Sequence, residues 1–592
     1  MAVTVIGLYP VPTETAHAQT AIFADDFDDG DDGWAPVEGH WRVVSDASGN
    51  PVYEQAATGS GVPGVSLIDL PPWQPFHVKV QVTPTDIQPG DAVRVFFRYE
   101  DQDNHYLVFL SESSVQLRRR VNGSLTTIQE APVNIENGIS YQIDVEGRGN
   151  HFTVHVDHAQ KLSAYDPYGR PGSVLAEGKI GLGTWQTGAQ FDNVRVANVV
   201  RMGVAQSHLS RWGQRSVESQ QHVLDAMDTA GINRVRLALP RPGRLSDVTE
   251  QVCHAKDNDM KVSLLLGLST NEDYYPDGTT KAQRTNFDPV YRLSDLDPAK
   301  FEKALYTTDT DKAGNEIDGY LEVLDNAGCV PDALVIGNEL NWIGFNGDLP
   351  EVTSDQPGVP DGKIFDHDTP WGDAGYEQIR TGIDKWGQAI SRAREAADAA
   401  FGQDKVKIVT GGFADIPHGH VRDRAGSYMA PQLFVQLLQG THPNQSGRPD
   451  HISDADFIGT HIYPYRPYDL DPERGYDTIR DHIADVMDPV VDKIGAPKPF
   501  WIGEFGFRNR HRIDGVFETV TEPERLQLFR WFMLALYDEK LADIDWREVY
   551  VYNFTDNDLL SIYECETTPE DEYVCETGTL LDPGEVFRDY PY

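Results

Sequence analysis

The sequence predicts two units in one chain, an all-β sandwich followed by an α/β unit of the (β/α)8 barrel type, and three observations carry this prediction. Residues 21–198 run in short alternating stretches, such as Phe76-His77-Val78-Lys79-Val80-Gln81-Val82 and Ala92-Val93-Arg94-Val95-Phe96-Phe97-Arg98, divided by Gly, Pro, Asn and Asp turns. Period-two alternation of this kind marks half-buried antiparallel strands. From residue 199 to 592 the pattern changes to continuous apolar runs alternating with amphipathic helical stretches, the signature of strands buried on both faces of a parallel sheet. Eight such runs occur, the number that closes a parallel barrel.

In chain order the eight predicted strands are 201–205, 234–239, 261–266, 333–338, 406–410, 457–461, 500–503 and 548–552. Helical periodicity is clearest over 217–230, 376–400, 478–494 and 522–537. A minimal barrel takes about 250 residues, so the surplus is assigned to insertions at 269–300 and 341–375, after strands three and four. Because a barrel closes its own core, the unit from about residue 198 is expected to fold alone. Residues 1–20 hold an apolar stretch, Ala2 to Leu8, then Ala16-His17-Ala18, a small-x-small cleavage pattern without a positively charged start. They read as a signal peptide beginning further upstream or as a tail, and the protein as secreted or held at the cell surface. No run reaches the ~18 apolar residues of a membrane span.

Charge narrows the partners. The chain carries 50 basic against 93 acidic residues, a formal charge of −43, which excludes nucleic-acid and anionic-membrane partners, since phosphate binding needs a basic face. Polyanionic substrates are disfavoured for the same reason. The four cysteines allow three full pairings. Cys565 and Cys575 bracket a polar excursion that a disulfide would tie down, while Cys253 and Cys329 read equally as buried thiols or a bridge.

The chemistry rests on Ile336-Gly337-Asn338-Glu339-Leu340-Asn341 and Trp501-Ile502-Gly503-Glu504-Phe505-Gly506. Each ends an apolar strand-like run in a glutamate. In a closed barrel the carboxyl ends of all strands meet on one face, so residues distant in sequence share one pocket. Two glutamates there supply what glycosidic cleavage needs: one acid for the leaving oxygen and one carboxylate for the anomeric carbon. Tyr275 and Trp342 lie in the two insertions as aromatic surfaces on which a sugar ring would stack.

With these residues in this order, the second unit resembles the clan A glycoside hydrolases, which are retaining TIM-barrel glycosidases. The resemblance implies Glu339 as acid/base, Glu504 as nucleophile, Asn338 on the sugar 2-hydroxyl and Arg236 beside the nucleophile. It also implies a His-x-Tyr unit at strand six, matched by His461 and Tyr463. That clan has an aromatic ending strand eight, where this chain offers Tyr550, Tyr552 and Phe554 around Asn553. The implied activity is hydrolysis of β-glycosidic bonds in an oligo- or polysaccharide, with no cofactor for catalysis. A transglycosylase using the same residues and a non-catalytic carbohydrate-binding surface protein stay open.

The sandwich resembles laminin-G-like, concanavalin-type (jelly-roll) domains, through Asp25-Asp26-Phe27-Asp28-Asp29-Gly30 with Trp34, Phe97 to Asp101 with His105-Tyr106, and Phe191 to Val196. This resemblance implies carbohydrate binding or support of the catalytic unit. Asp26, Asp28 and Asp192 are candidate oxygen ligands for a structural Ca²⁺; a solvated acidic turn is the equal alternative.

Overall fold

A computed structural model describes residues 21–56, 61, 63–68, 76–148, 150–169, 175–207, 209, 216–239, 245–306, 319–353, 360–361, 364–366, 369, 376–415, 427–442, 447–464, 469–471, 474–494, 498–513, 516–541, 544–555, 560–567, 573–581, 584 and 587. Two antiparallel sheets, of eight and seven strands, form the N-terminal sandwich. Alternation decides what each strand buries. Val78, Val80 and Val82 meet Val93, Val95, Phe97 and Val108 in one core between the sheets, while the intervening His77 and Lys79 face outward from the eight-stranded sheet.

The second unit is built on eight parallel strands, β1 (Arg201–Gln206), β2 (Arg234–Ala238), β3 (Lys261–Leu266), β4 (Ala333–Asn338), β5 (Lys407–Gly412), β6 (Ile458–His461), β7 (Phe500–Phe505) and β8 (Trp546–Tyr552). Every terminus lies within two residues of its sequence expectation. The strands pair in the order β5-β4-β3-β2-β1-β8-β7-β6. The two edges then meet: Val409 bridges Phe457 and Phe413 bridges Thr460, both in parallel, with Thr410 N–H donating to Phe457 O at 3.0 Å and His461 N–H to Phe413 O at 2.9 Å. This near-closed sheet is compatible with a TIM barrel.

Burial on both faces explains the continuous apolar runs. Ala205, Leu265, Ala333, Val335, Val409, Trp501 and Tyr550 fill the inside of the sheet as one cluster, whereas their neighbours Val204, Leu264, Leu334, Ile336, Ile408 and Ile502 pack outward in the large core shared with the helices. Helices cover that outer face, among them Val217–Thr229, capped by Ser216 accepting from Ser219 N–H, and Glu522–Ala535, opened by a Thr521/Glu524 capping box. No described helix is long and apolar enough to cross a membrane.

Cys253 and Cys329 form a disulfide with Cα atoms 5.1 Å apart, joining the helix Leu245–Asp257 to the turn before β4. The side chains of Cys565 and Cys575 lie outside the described residues; their backbones belong to the antiparallel hairpin Tyr563–Thr567 and Tyr573–Leu580. Residues 1–20, which carry the leader reading, also lie outside.

The outward face of the eight-stranded sandwich sheet is charged yet buried: His77, Lys79, Asp144, Glu146, Arg148, His155 and Arg195 are all inaccessible. The second unit covers and pairs part of it. Lys79 Nζ donates to Asp538 at 3.3 Å, Arg195 donates to the Asp538 carbonyl at 2.7 Å, and the Val200 N–H donates to the Tyr537 hydroxyl at 2.7 Å. Tyr537 stacks on His77 with ring centroids 3.9 Å apart, Tyr476 on His158 at 3.6 Å, and the Tyr476 hydroxyl donates to Asp538 at 2.8 Å. Removing the sandwich strips these stacking and hydrogen-bond contacts from Tyr476, Tyr537 and Asp538, so this contact qualifies the expectation that the second unit folds alone. A chain starting near Asn198 is expected to melt ~2 °C or more below the full protein, the shift that ~2 kcal/mol produces in a unit of this size. Circular dichroism decides it, and an unchanged melting temperature would make the interface dispensable.

His155 adds a pH dependence. Burial pulls its imidazole down to about 3, whereas the unfolded chain returns it to about 6.5. A depressed histidine contributes stability that is complete above the unfolded value and is lost as pH falls toward the folded one. Between pH 6.5 and 4 the protein should therefore lose ~3 kcal/mol from this group alone, measured as a falling denaturant midpoint. His155→Phe should flatten that slope; an unaltered slope would remove His155 as its cause.

Candidate active site

The site is assembled by strand register at one end of the parallel sheet. Asn338 at the end of β4 pairs with Gly412 at the end of β5, His461 on β6 lies opposite Glu504 on β7, and Arg236 on β2 lies between Ala205 and Ser263. The backbone turns sharply at Glu339, which takes φ 46° just after Gly337 at φ 96°. Left-handed backbone is unfavourable for a residue with a Cβ and is held here by its surroundings: the Glu339 N–H donates to Gly412 O at 2.8 Å and its carbonyl accepts from Trp342 N–H at 2.9 Å.

Glu339, Glu504 and His461 converge, with one carboxylate oxygen of each glutamate and an imidazole nitrogen all within 4.8 Å of one another. His461 Nδ1 lies 2.9 Å from Glu339 Oε1 and 3.7 Å from Glu504 Oε2. Its Nε2 faces the Arg236 guanidinium at 3.4 Å. A guanidinium only donates, so Nε2 accepts and the ring proton belongs on Nδ1, aimed at Glu339.

Glu504 is the most constrained carboxylate of the site. Arg236 pairs with one oxygen and the Tyr463 hydroxyl donates to the other at 2.8 Å. Burial acts to raise its carboxyl, but His461, Arg236 and the Tyr463 hydroxyl outweigh burial and hold it below the ordinary glutamate value. Tyr463 moves the opposite way, well above a normal phenol, because it is buried and faces both glutamates. Glu504 is thus kept ionised, while Glu339 stands at the rim with a donor beside it.

The remaining predicted residues divide. Asn338 Oδ1 is buried without a hydrogen-bond partner, an acceptor aligned with the same strand end. Trp342 is half-buried on the turn after Glu339, edge-on to Phe287 at 5.9 Å and to Phe345 at 5.7 Å. Tyr275 does not reach the site. It is 2% exposed in the hydrophobic core, stacked on Tyr291 at 4.4 Å with its hydroxyl donating to Leu268 O at 3.0 Å, so neither ring face is open to a sugar. Asp26, Asp28 and Asp192 do not form a tight three-carboxylate cluster: among the described residues, the one group of three or more potential metal ligands within 4.8 Å of one another is Glu339, His461 and Glu504, although burial and the nearby Asp26 together raise the Asp192 carboxyl. Asp26 instead caps Asp28 N–H at 3.2 Å, and Asp192 accepts from Asn50 at 2.9 Å. Of the aromatics near the end of β8, Tyr550 lies buried inside the sheet on Ser263 and Glu548, and Tyr552 is edge-on to Tyr463 with centroids 6.5 Å apart.

No family model matches the chain. A curated relative, levanase from Bacillus subtilis (strain 168), is 26% identical over 170 residues, which is 27% of this chain and 22% of levanase. Among solved structures, a carbohydrate binding module from Bacillus subtilis aligns at 25% identity over 28% of this chain and 96% of its own, with a TM-score of 0.24. A protein of unknown function with a galectin-like fold, also from Bacillus subtilis, aligns at 14% identity over 30% of this chain and 95% of its own, with a TM-score of 0.24.

Removing Arg236 leaves a buried carboxylate without its cation, which costs about 3–5 kcal/mol when one partner of a buried pair is lost. Arg236→Met should show that loss at pH 7 in denaturant unfolding. The loss should shrink as pH falls, because burial without the guanidinium favours the protonated form of Glu504, which needs no counterion. A loss independent of pH would place the damage in packing and not in the ion pair.

Proposed function

We propose that the chain is a secreted retaining glycoside hydrolase that cleaves β-glycosidic bonds of an oligo- or polysaccharide, with Glu339 as acid/base and Glu504 as nucleophile on a (β/α)8 barrel. The observation that carries the reading is the approach of the two carboxylates, whose oxygens come within 4.8 Å of each other. Retaining enzymes hold their carboxyls about 5–5.5 Å apart, and inverting enzymes about 6.5–9.5 Å apart to admit a water.

The residues divide the reaction between them. Glu339 gives its proton to the glycosidic oxygen as the bond to the anomeric carbon breaks, while the Glu504 carboxylate bonds to that carbon and forms a glycosyl ester. Water then attacks the anomeric carbon, gives its proton to Glu339 and frees Glu504. Arg236 and Tyr463 keep Glu504 ionised before the attack and stabilise it as a leaving group afterwards. The unpartnered Asn338 Oδ1 supports a contact to a sugar hydroxyl. A charge of −43 favours neutral sugars over polyanionic ones, and the chemistry calls on no cofactor. The Cys253–Cys329 disulfide supports an oxidising compartment outside the cytosol. The stretch of similarity to a levanase supports carbohydrate as the ligand class, and we assign the sandwich to polymer binding.

Paired variants test the roles. Glu504→Ala should abolish turnover of every substrate by at least about 10³-fold, whereas Glu339→Ala should retain much of the rate on activated aryl glycosides, whose leaving groups need little protonation. Azide should rescue Glu339→Ala as a glycosyl azide of retained configuration. Equal losses in both variants without rescue would refute the assignment. Product analysis at high sugar concentration separates hydrolysis from transfer to a second sugar.

A further inference from the structure

Two glycines border His461. Gly412 ends β5, and Gly503 precedes Glu504 on β7. Neither has a positive φ, so backbone conformation does not require glycine at either position. Space does. A Cβ on Gly412 would lie 2.3 Å from both Cδ2 and Nε2 of His461, and one on Gly503 would lie 3.0 Å from Nε2 and 3.1 Å from Arg236 Nη1. Real Cβ atoms do not approach that closely at 412, so either the alanine or the ring has to give way. The ring has little freedom. It is fully buried, with Nδ1 2.9 Å from Glu339 and Nε2 3.4 Å from Arg236, and moving it away from β5 breaks at least one of those contacts.

We propose that Gly412 is a positioning residue for the acid/base, acting through His461: its missing side chain is the slot that lets the imidazole reach Glu339 while Arg236 holds the ring's far nitrogen. Gly503 forms the other wall, with looser contact. The inference about catalysis rests on the hydrolase reading above; the steric slot does not. The slot predicts an asymmetry. Displacing His461 disturbs Glu339, which has this one side-chain donor among the contacts above, more than Glu504, which keeps Arg236 and Tyr463.

Gly412→Ala should therefore lower kcat on unactivated glycosides by about 100-fold but on activated aryl glycosides by less than about 10-fold, with KM within about 2-fold, because a misplaced proton donor penalises the step that needs the proton. Gly503→Ala should follow the same pattern with a smaller loss. A double-mutant cycle isolates the mechanism: in a His461→Ala background the clash is gone, so adding Gly412→Ala should change rate and melting temperature little. If Gly412→Ala alone fails to fold, the double variant should fold again. Additive losses, equal losses on both substrate classes, or a double variant that still does not fold would each overturn the proposal. Should the parent protein hydrolyse no glycoside, the hydrolase reading falls, and the melting-temperature cycle still decides whether the slot exists.

Discussion

Arg236 is a guanidinium with 1% exposure inside a parallel sheet, and the site is arranged around that charge. A buried cation is tolerated only with an anion beside it. Glu504 supplies the anion and His461 Nε2 takes a further donor. Once Nε2 is committed, Nδ1 carries the proton and faces Glu339, so one charge on β2 sets the state of groups on β4, β6 and β7. The two glutamates gain different surroundings from one source: a cation and a phenol hydroxyl for Glu504, an imidazole N–H for Glu339.

That arrangement needs a scaffold in which side chains from four strands point into a shared space at fixed depth. Parallel register provides it, because His461 opposite Glu504 and Asn338 opposite Gly412 bring the functional residues to the same level. Beneath them Trp501, Tyr550, Leu265 and Val335 pack the inside of the sheet, forming a floor that keeps water out from below. With that floor in place, electrostatic pairing around Glu504 operates in a medium of low polarity, where each contact weighs more.

The sandwich contributes by a different route. Its outward sheet face has the alternation of a solvent-exposed strand face, with His77, Lys79, Asp144 and Glu146 where water would be expected. In the fold this face meets Tyr476, Tyr537 and Asp538. Stacking and ion pairing replace hydration there, which makes the two units one structure in a way that separate hydrophobic cores do not reveal.

Local pattern alone located the eight strands, the change of pattern near residue 198 and the two glutamates, because burial on both faces writes a continuous apolar run into the sequence and the site follows where each run ends. Arg236, His461 and Tyr463 came from the resemblance to the clan A glycoside hydrolases, whose motifs they match in order. Tyr275 was misplaced as a ring facing substrate, since a tyrosine in a long insertion reads the same whether its ring packs on Tyr291 or lies open to solvent. The Cys253–Cys329 bridge was undecided for a related reason: cysteine pairing depends on the distance between Cα atoms, and sequence separation does not measure that. Gly412 carried no signal, as a glycine at a strand end is ordinary until a ring from the next strand is seen against it. Sequence determined what depends on periodicity and strand ends; tertiary structure decided everything that depends on which side chains from different strands compete for the same few ångströms.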